Sequence, residues 1–210
     1  LPNASRMALA ISLYGGGISR GTILSAIVHI PDQGAIRKDG KLVQMPLLEK
    51  TRQIDFGRGL RTAMNIPWGD LSTAYYSTGI PNIEAYMVFP KASLRMMPLL
   101  QPFLRLASKP LAQWALRWMV KRLPSGPSVE ARILSWSRLW GEAIDNTGRR
   151  VVTRLETPDA YNLTAETALA AVSRVLADDF KPGFQTPSLA YGADFILEFE
   201  EVYREDLELD

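Results

Sequence analysis

The sequence predicts an α+β fold: a mixed, largely antiparallel sheet with helices mainly on one face, in a single domain over residues 1–210. Three observations carry this expectation. Strand-like runs are joined by tight-turn signals, Asp39-Gly40 and Asp145-Asn146-Thr147-Gly148, which is how antiparallel neighbours connect. The helical stretches fall in a few blocks, at 23–30, 91–122 and 164–176. Between them the chain continues as hairpins and not as the strand–helix alternation of a doubly wound sheet.

The elements follow in order. Residues 8–14 read as a strand that runs into Gly15-Gly16-Gly17 and then a helix over 23–30, which Pro31 ends. The dinucleotide fingerprint fails there, because Arg20 stands where the third glycine is needed and Gly21 comes one place late. What remains is a helix N-terminus flanked by Ser19, Arg20 and Thr22, suited to a carboxylate or a phosphate edge. A hairpin over 37–43 and a strand over 50–56 carry charges that alternate with apolar residues and so mark a solvated face.

Residues 67–86 are dense in hydroxyls, an indole and a carboxylate, yet lead into the apolar run 83–89. They read as a short helical turn capped by Asp70, then a sharp turn at Gly79 and Pro81 into a strand. Polar density at a core boundary suggests a site. From 91 to 122 the chain is rich in Leu, Met, Trp and Arg, with prolines cutting it into short helices. Those helices could cover the sheet, form a dimer surface or lie on a membrane surface, in that order of preference; Arg95, Arg105 and Arg117 interrupt any spanning window.

Residues 128–140 alternate and read as one long strand, continued to 144 and returned as a hairpin over 149–155. A helix follows with Thr164 as its N-cap and an apolar stripe through Leu169, Val172, Val175 and Leu176. Residues 181–194 then repeat the chemistry of the first polar cluster. Residues 195–199 read as the closing strand, and the acidic tail 200–210 as frayed or docked on something absent.

Composition narrows the function. A chain of 210 residues, 47% hydrophobic and 22% charged, can bury one good core. A formal charge of +2 supplies no basic stripe, so no nucleic-acid partner is expected. With no cysteine and a single histidine, His29, no metal site and no thiolate chemistry are expected, and a serine hydrolase triad is disfavoured. The absence of cysteine agrees with a cytoplasmic location. The chain opens on Leu-Pro-Asn and enters a strand almost at once, which suggests a piece of a longer enzyme.

Three segments together resemble the saccharopine dehydrogenase-like oxidoreductases. They are Gly16-Gly17-Ile18-Ser19-Arg20-Gly21-Thr22; Trp68-Gly69-Asp70 with Thr73-Ala74 and Thr78-Gly79-Ile80-Pro81-Asn82; and Lys181-Pro182-Gly183-Phe184-Gln185-Thr186-Pro187 with Tyr191-Gly192. Trp140-Gly141-Glu142 and Tyr161-Asn162-Leu163-Thr164 are similar to family landmarks as well. The resemblance implies an NAD(P)-dependent enzyme with an amino-terminal Rossmann domain and a following α+β domain for substrate and dimer contacts. This chain looks like the second domain, so NAD(P) is expected on a domain absent from it, and a homodimer acting on a small molecule is expected.

On this view Asp70 and Tyr75 are the candidate proton donors. Ser19, Arg20 and Thr22 are expected to hold an anionic group, Trp68 to line the pocket, and Gln185, Thr186 and Tyr191 to bond from the opposite wall. The competing expectation is a non-catalytic module that uses its sheet or its Trp/Met/Arg helices to bind a protein or a membrane.

Overall fold

The central strand, β1 (Ala4–Tyr14), alternates small and large residues along its length, and that alternation sets the two sides of the molecule. The structure is a computed structural model that describes residues 1–29, 34–46, 49–90, 107 and 109–209. Among them, α1 (Arg20–His29), β2 (Gly34–Lys38), β3 (Lys41–Met45), β4 (Thr51–Asp55), β5 (Leu60–Asn65), α2 (Asp70–Thr78) and β6 (Asn82–Val88) form the first half. The second half comprises α3 (Pro110–Val120), α4 (Val129–Ile133), β7 (Trp136–Asp145), β8 (Arg150–Thr157), α5 (Ala160–Leu176), α6 (Pro187–Tyr191), a 3-10 turn (Phe195–Glu198) and β9 (Tyr203–Leu209).

The strand order is β3-β2-β6-β1-β7-β8-β9, while β5, with β4 beyond it, shares the outer edge of β6 with β2. Among the described residues the β1–β6 ladder alone is parallel, and every other pairing is antiparallel. A parallel pair needs a long crossover, and the segment from α1 to α2 supplies it. The fold is therefore an open α+β sheet, as the turn chemistry implied.

On one face, Ala8 and Ala10 leave room for Tyr86, Trp140 and Val152, and the β4–β5 hairpin folds over them with Ile54, Phe56 and Ala63. This face is thus covered by the hairpin over its centre, and is not the free surface for a partner that an uncovered sheet would offer. On the other face Leu71 and Ile80 pack on Ile83 and Ala85, with Met7 and Ala35 at the margin. Helices α2, α5 and α6 border the cavities of this second face. Helix α3 leans on α1, where Gln113 Nε2 donates to the Ile27 carbonyl at 2.7 Å.

Several expectations need correction. Residues 128–140 are not one strand: Ser128 caps α4 by accepting the Ala131 N–H at 3.2 Å, and β7 starts at Trp136. The last β1–β7 pair is Tyr14↔Trp136, so a longer strand would leave its backbone without a partner, whereas a helical turn bonds internally. Strand β5, which the sequence reading passed over, pairs with both β4 and β6.

Helix α5 begins at Ala160 with Asp159 as its cap, a turn before Thr164. Its stripe also points outward: Leu169, Val172, Val175 and Leu176 are all exposed, and Leu163 is the buried residue. Last, 195–198 is a 3-10 turn, held where the Phe195 ring meets Tyr191 at 5.1 Å and Phe199 edge-on at 5.3 Å, and the acidic tail forms the edge strand. Charge explains the docking of β9 on β8: Arg154 meets Glu205 at 3.2 Å, and Thr153 donates to Asp206 at 2.7 Å. Of the helices expected over 91–122, residues 91–106 and 108 lie outside the described residues, and 110–120 forms α3.

Asp159 is nearly buried and accepts from the Asn162 N–H at 3.0 Å and from Ser135 Oγ at 2.8 Å, joining the start of α5 to that of β7. Asp159→Ala is expected to cost about 1–2 kcal/mol, because it removes a helix cap and the bond that ties the start of α5 to Ser135, whose hydroxyl keeps only the Arg132 carbonyl. Equilibrium urea unfolding checks this; a loss below a few tenths of a kcal/mol would count against the cap.

Candidate active site

Alternate residues of β1, Met7, Leu9, Ile11 and Leu13, form the floor of a trough on the helix-bearing face. Three cavities lie along it, of about 550, 450 and 210 Å³. Neighbouring cavities share residues: Leu9 and Asp70 border the first and second, Ile11 and Trp68 the second and third. Leu139, Gly141, Thr153 and Leu155 of β7 and β8 line the middle.

The segment 66–70 places the two side chains at these junctions. The Ile66 N–H bonds the Ala85 carbonyl at 2.9 Å and ties the exit of β5 to β6. Gly69 occupies the N-cap position of α2 without a side chain to cap it, so Asp70 is the first helical residue and not the cap. Its carboxyl faces the trough. Burial pushes the carboxyl above its ordinary value, an effect that the bond from its own backbone N–H only partly offsets. A carboxyl whose charged form is disfavoured by burial, at the edge of a cleft, is a candidate general acid or base.

The two polar clusters of the sequence meet across α2 and α6. Ser77 Oγ lies 2.8 Å from Thr186 Oγ1, Ser188 Oγ donates to Ser77 Oγ at 3.2 Å, and the Tyr76 and Phe184 rings meet at a tilt, 5.1 Å between centroids. Thr186 is buried, caps α6 through the Leu189 N–H, and borders the first cavity. Trp68, Asp70 and Thr186 are therefore brought to one trough.

The other candidates stand elsewhere. Tyr75 turns away from the trough: its ring lies under the Arg37 guanidinium at 4.3 Å, in the small core between α2 and β2. It cannot give a proton to a group in the trough. Gln185 bonds the Pro182 carbonyl of its own loop at 3.4 Å, and Tyr191 donates to the Ala171 carbonyl at 3.3 Å beneath Arg174. Neither lines the trough.

Ser19, Arg20 and Thr22 form a closed group at the start of α1. The Ser19 N–H donates to Tyr161 Oη at 2.8 Å, the Thr22 N–H to Ser19 Oγ at 3.1 Å, and the Arg20 N–H to the Ser125 carbonyl at 3.1 Å. The Arg20 guanidinium donates to the Lys121 and Leu123 carbonyls at 3.2 and 3.3 Å. The amides and the cation that would hold an anion are thus engaged within the fold. Thr22 borders the smallest cavity with Tyr161. Burial would raise the Tyr161 phenol, but the bonds with Ser19 and Thr22 outweigh it and hold the group below the usual tyrosine range.

The glycine run answers to packing. A Cβ on Gly16 would stand 2.9 Å from the Ser135 Cβ, and one on Gly15 3.0 Å from the Leu134 carbonyl oxygen; both have positive φ. The loop hugs the α4–β7 junction and forms no cradle for a pyrophosphate, so these residues do not fit NAD(P). Among the described residues no His, Asp and Glu group could hold a metal ion. His29 closes α1.

Sequence reasoning missed the floor of the trough, Leu139, Gly141, Thr153 and Leu155, because apolar strand residues carry no chemical mark. The Trp140-Gly141-Glu142 motif was the available signal. Ser77 was hidden because its partner Thr186 is 109 residues away.

No family model matches the chain, and no curated protein matches it in sequence. Among solved structures, the apo histidine-tagged saccharopine dehydrogenase (L-Glu forming) from Saccharomyces cerevisiae is similar, with a TM-score of 0.53 and 9% identity. The match covers 99% of this chain and 68% of that one. At that identity the likeness is one of fold, and it marks a distant relationship of fold to a dehydrogenase.

Proposed function

We propose that this chain is the substrate-binding and dimerisation half of a saccharopine dehydrogenase-like, NAD(P)-dependent oxidoreductase. The enzyme would move a hydride to or from a carbon bearing an amine or a hydroxyl. The observation that carries the reading is Asp70, a carboxyl raised by burial on the rim of an apolar trough, on a fold similar to that of a dehydrogenase. In this role Asp70 gives its proton to the substrate oxygen or nitrogen and takes it back in the reverse direction, while Trp68 closes the trough wall beside it.

NAD(P) would be carried by a Rossmann domain outside these residues, since the glycine loop does not fit it, and no step through the nucleotide is assigned to this chain. The outward stripe of α5 supports the partner side of the reading, because four exposed aliphatic side chains on one helix suit a second subunit or a neighbouring domain. No helix among the described residues is long and apolar enough to cross a membrane, and a cytoplasmic location goes with the proposal. The test is NADH and NADPH consumption by the product of the whole reading frame that encodes these residues, against ketones, 2-oxo acids and imines. No turnover with either nucleotide over that panel would refute the proposal.

A second reading is favoured by α3. Leu111, Trp114, Trp118 and Met119 are exposed on it, while Gln113 faces inward, and Arg122 stacks on Trp118 at 3.1 Å. An outward aromatic stripe beside Lys109, Arg117 and Lys121 suits the headgroup region of an anionic membrane. On this reading the chain co-sediments with phosphatidylserine vesicles at low salt, and Trp114→Ser/Trp118→Ser lowers the bound fraction about tenfold, as lost apolar burial of this size requires. No binding at low salt removes the membrane reading.

A further inference from the structure

Taking the trough as the substrate site proposed above, we infer that it accepts an uncharged, extended aliphatic molecule with one carbonyl or hydroxyl set against Asp70, and not a di- or tricarboxylic amino acid. Among the described residues that line the three cavities, none is Lys, Arg or His. The acidic side chains that border them, Asp70 and Asp159, offer a carboxylate neither a cation nor an N–H donor. A carboxylate moved from water into such a lining keeps neither a counter-ion nor a fork of N–H donors, and its burial is strongly unfavourable.

Three arginines close to the trough are committed elsewhere. Arg37 donates to the Leu71 and Gly40 carbonyls at 2.5 and 2.7 Å, Arg20 to the carbonyls after α3, and Arg138 to the Phe56 carbonyl and Glu156 on the opposite face. A swing of Arg37 or Arg138 into the trough would leave buried or half-buried acceptors without donors.

Shape points the same way. The floor follows β1 from Met7 to Leu13, a run of about 20 Å at the rise of an extended strand. At its middle the floor is Leu9, Ile11, Leu139 and Leu155, with Gly141 exposing bare strand; a Cβ there would touch Leu9 Cδ2 at 3.6 Å. A peptide laid in this channel would bring an N–H and a carbonyl at every residue to a wall that cannot answer them, whereas an alkyl chain brings none. The end beyond Asp70 is different: Thr73, Ser77, Thr186 and Ser188 offer hydroxyls, which match a neutral polar head such as an alcohol, amide or ester.

The test is titration calorimetry of the full chain with a saturated long-chain methyl ketone, its ω-carboxylated counterpart and L-glutamate. The ketone is expected to bind, and both carboxylates to bind at least about 100-fold more weakly. Gly141→Phe fills the floor, and Thr73→Trp narrows the exposed rim without touching the core; each is expected to weaken the ketone at least about tenfold, with circular dichroism confirming the fold. Tighter binding of glutamate or the ω-carboxylate overturns the inference, as does ketone binding unchanged in both variants. Nucleotide-dependent turnover of glutamate-class substrates without ketone binding would overturn this inference alone; ketone binding without any nucleotide-dependent turnover would overturn the oxidoreductase reading alone.

Discussion

In the proposed oxidoreductase, Asp70→Asn is expected to lower turnover about 100-fold or more while leaving the protein at least as stable at neutral pH. The two effects have one cause. Burial raises the Asp70 carboxyl, and the first-turn position on α2, which favours an anion, does not cancel that rise. The folded chain therefore holds this proton more tightly than the unfolded chain does. The contribution of Asp70 to stability is then fully present at pH below the unfolded carboxyl range and is lost as pH rises through the raised folded value. At neutral pH the ionised group is a cost, and asparagine removes it. Melting curves across pH check the prediction: the variant should gain on the parent as pH rises through the carboxyl range and level off above it. A variant that is less stable at neutral pH, with turnover unchanged, would make Asp70 a structural carboxylate.

Glu142→Gln is expected to destabilise the fold by about 3 kcal/mol. Glu142 stands on β7 with 3% of its side chain exposed, and accepts from Arg52 at 2.5 Å and from Arg150. Arg52 comes from the β4–β5 hairpin, and its guanidinium also lies 4.9 Å from the Trp140 ring. One carboxylate thus fastens the hairpin over the core and steadies β8 beside it. Without its charge, two guanidinium groups crowd a half-buried place with no anion between them. Arg52 and Arg150 keep 32% and 38% of their side chains in water and can rehydrate, so the estimate sits at the lower end for a broken buried pair. Urea unfolding of Glu142→Gln, Arg52→Met and the double variant should show the two losses overlapping, with the double well short of their sum. Full additivity would mean that the two side chains do not work together.

What could be read in advance was local. The Asp39-Gly40 hairpin, the β7–β8 hairpin, a helix after the glycine run and the strand after Pro81 all follow from turn chemistry and from alternation within a few residues, although α1 starts at Arg20 and not at 23. Where local signals competed, the choice depended on a distant partner. Residues 129–133 alternate well enough for a strand, yet β1 ends at Tyr14 and offers no backbone to pair with them. The acidic tail reads as frayed or docked on something absent until Arg154 of β8 stands beside it. The stripe of α5 was legible as apolar, but nothing within the helix says that it faces outward.

The candidate site divides along the same line. Sequence by itself determined the fold class, the two polar clusters, and Trp68 and Asp70 as residues worth attention, because spacing and side-chain chemistry are properties of neighbours in the chain. Tertiary structure alone decided that Asp70 borders an apolar trough while Tyr75, five residues on, packs beneath Arg37, and that Ser77 meets Thr186. It also decided that Arg20 is engaged by carbonyls beyond α3. Burial and the identity of a hydrogen-bond partner are set by which segments pack together, and that packing is a global balance of buried area and satisfied polar groups that no short stretch of residues contains.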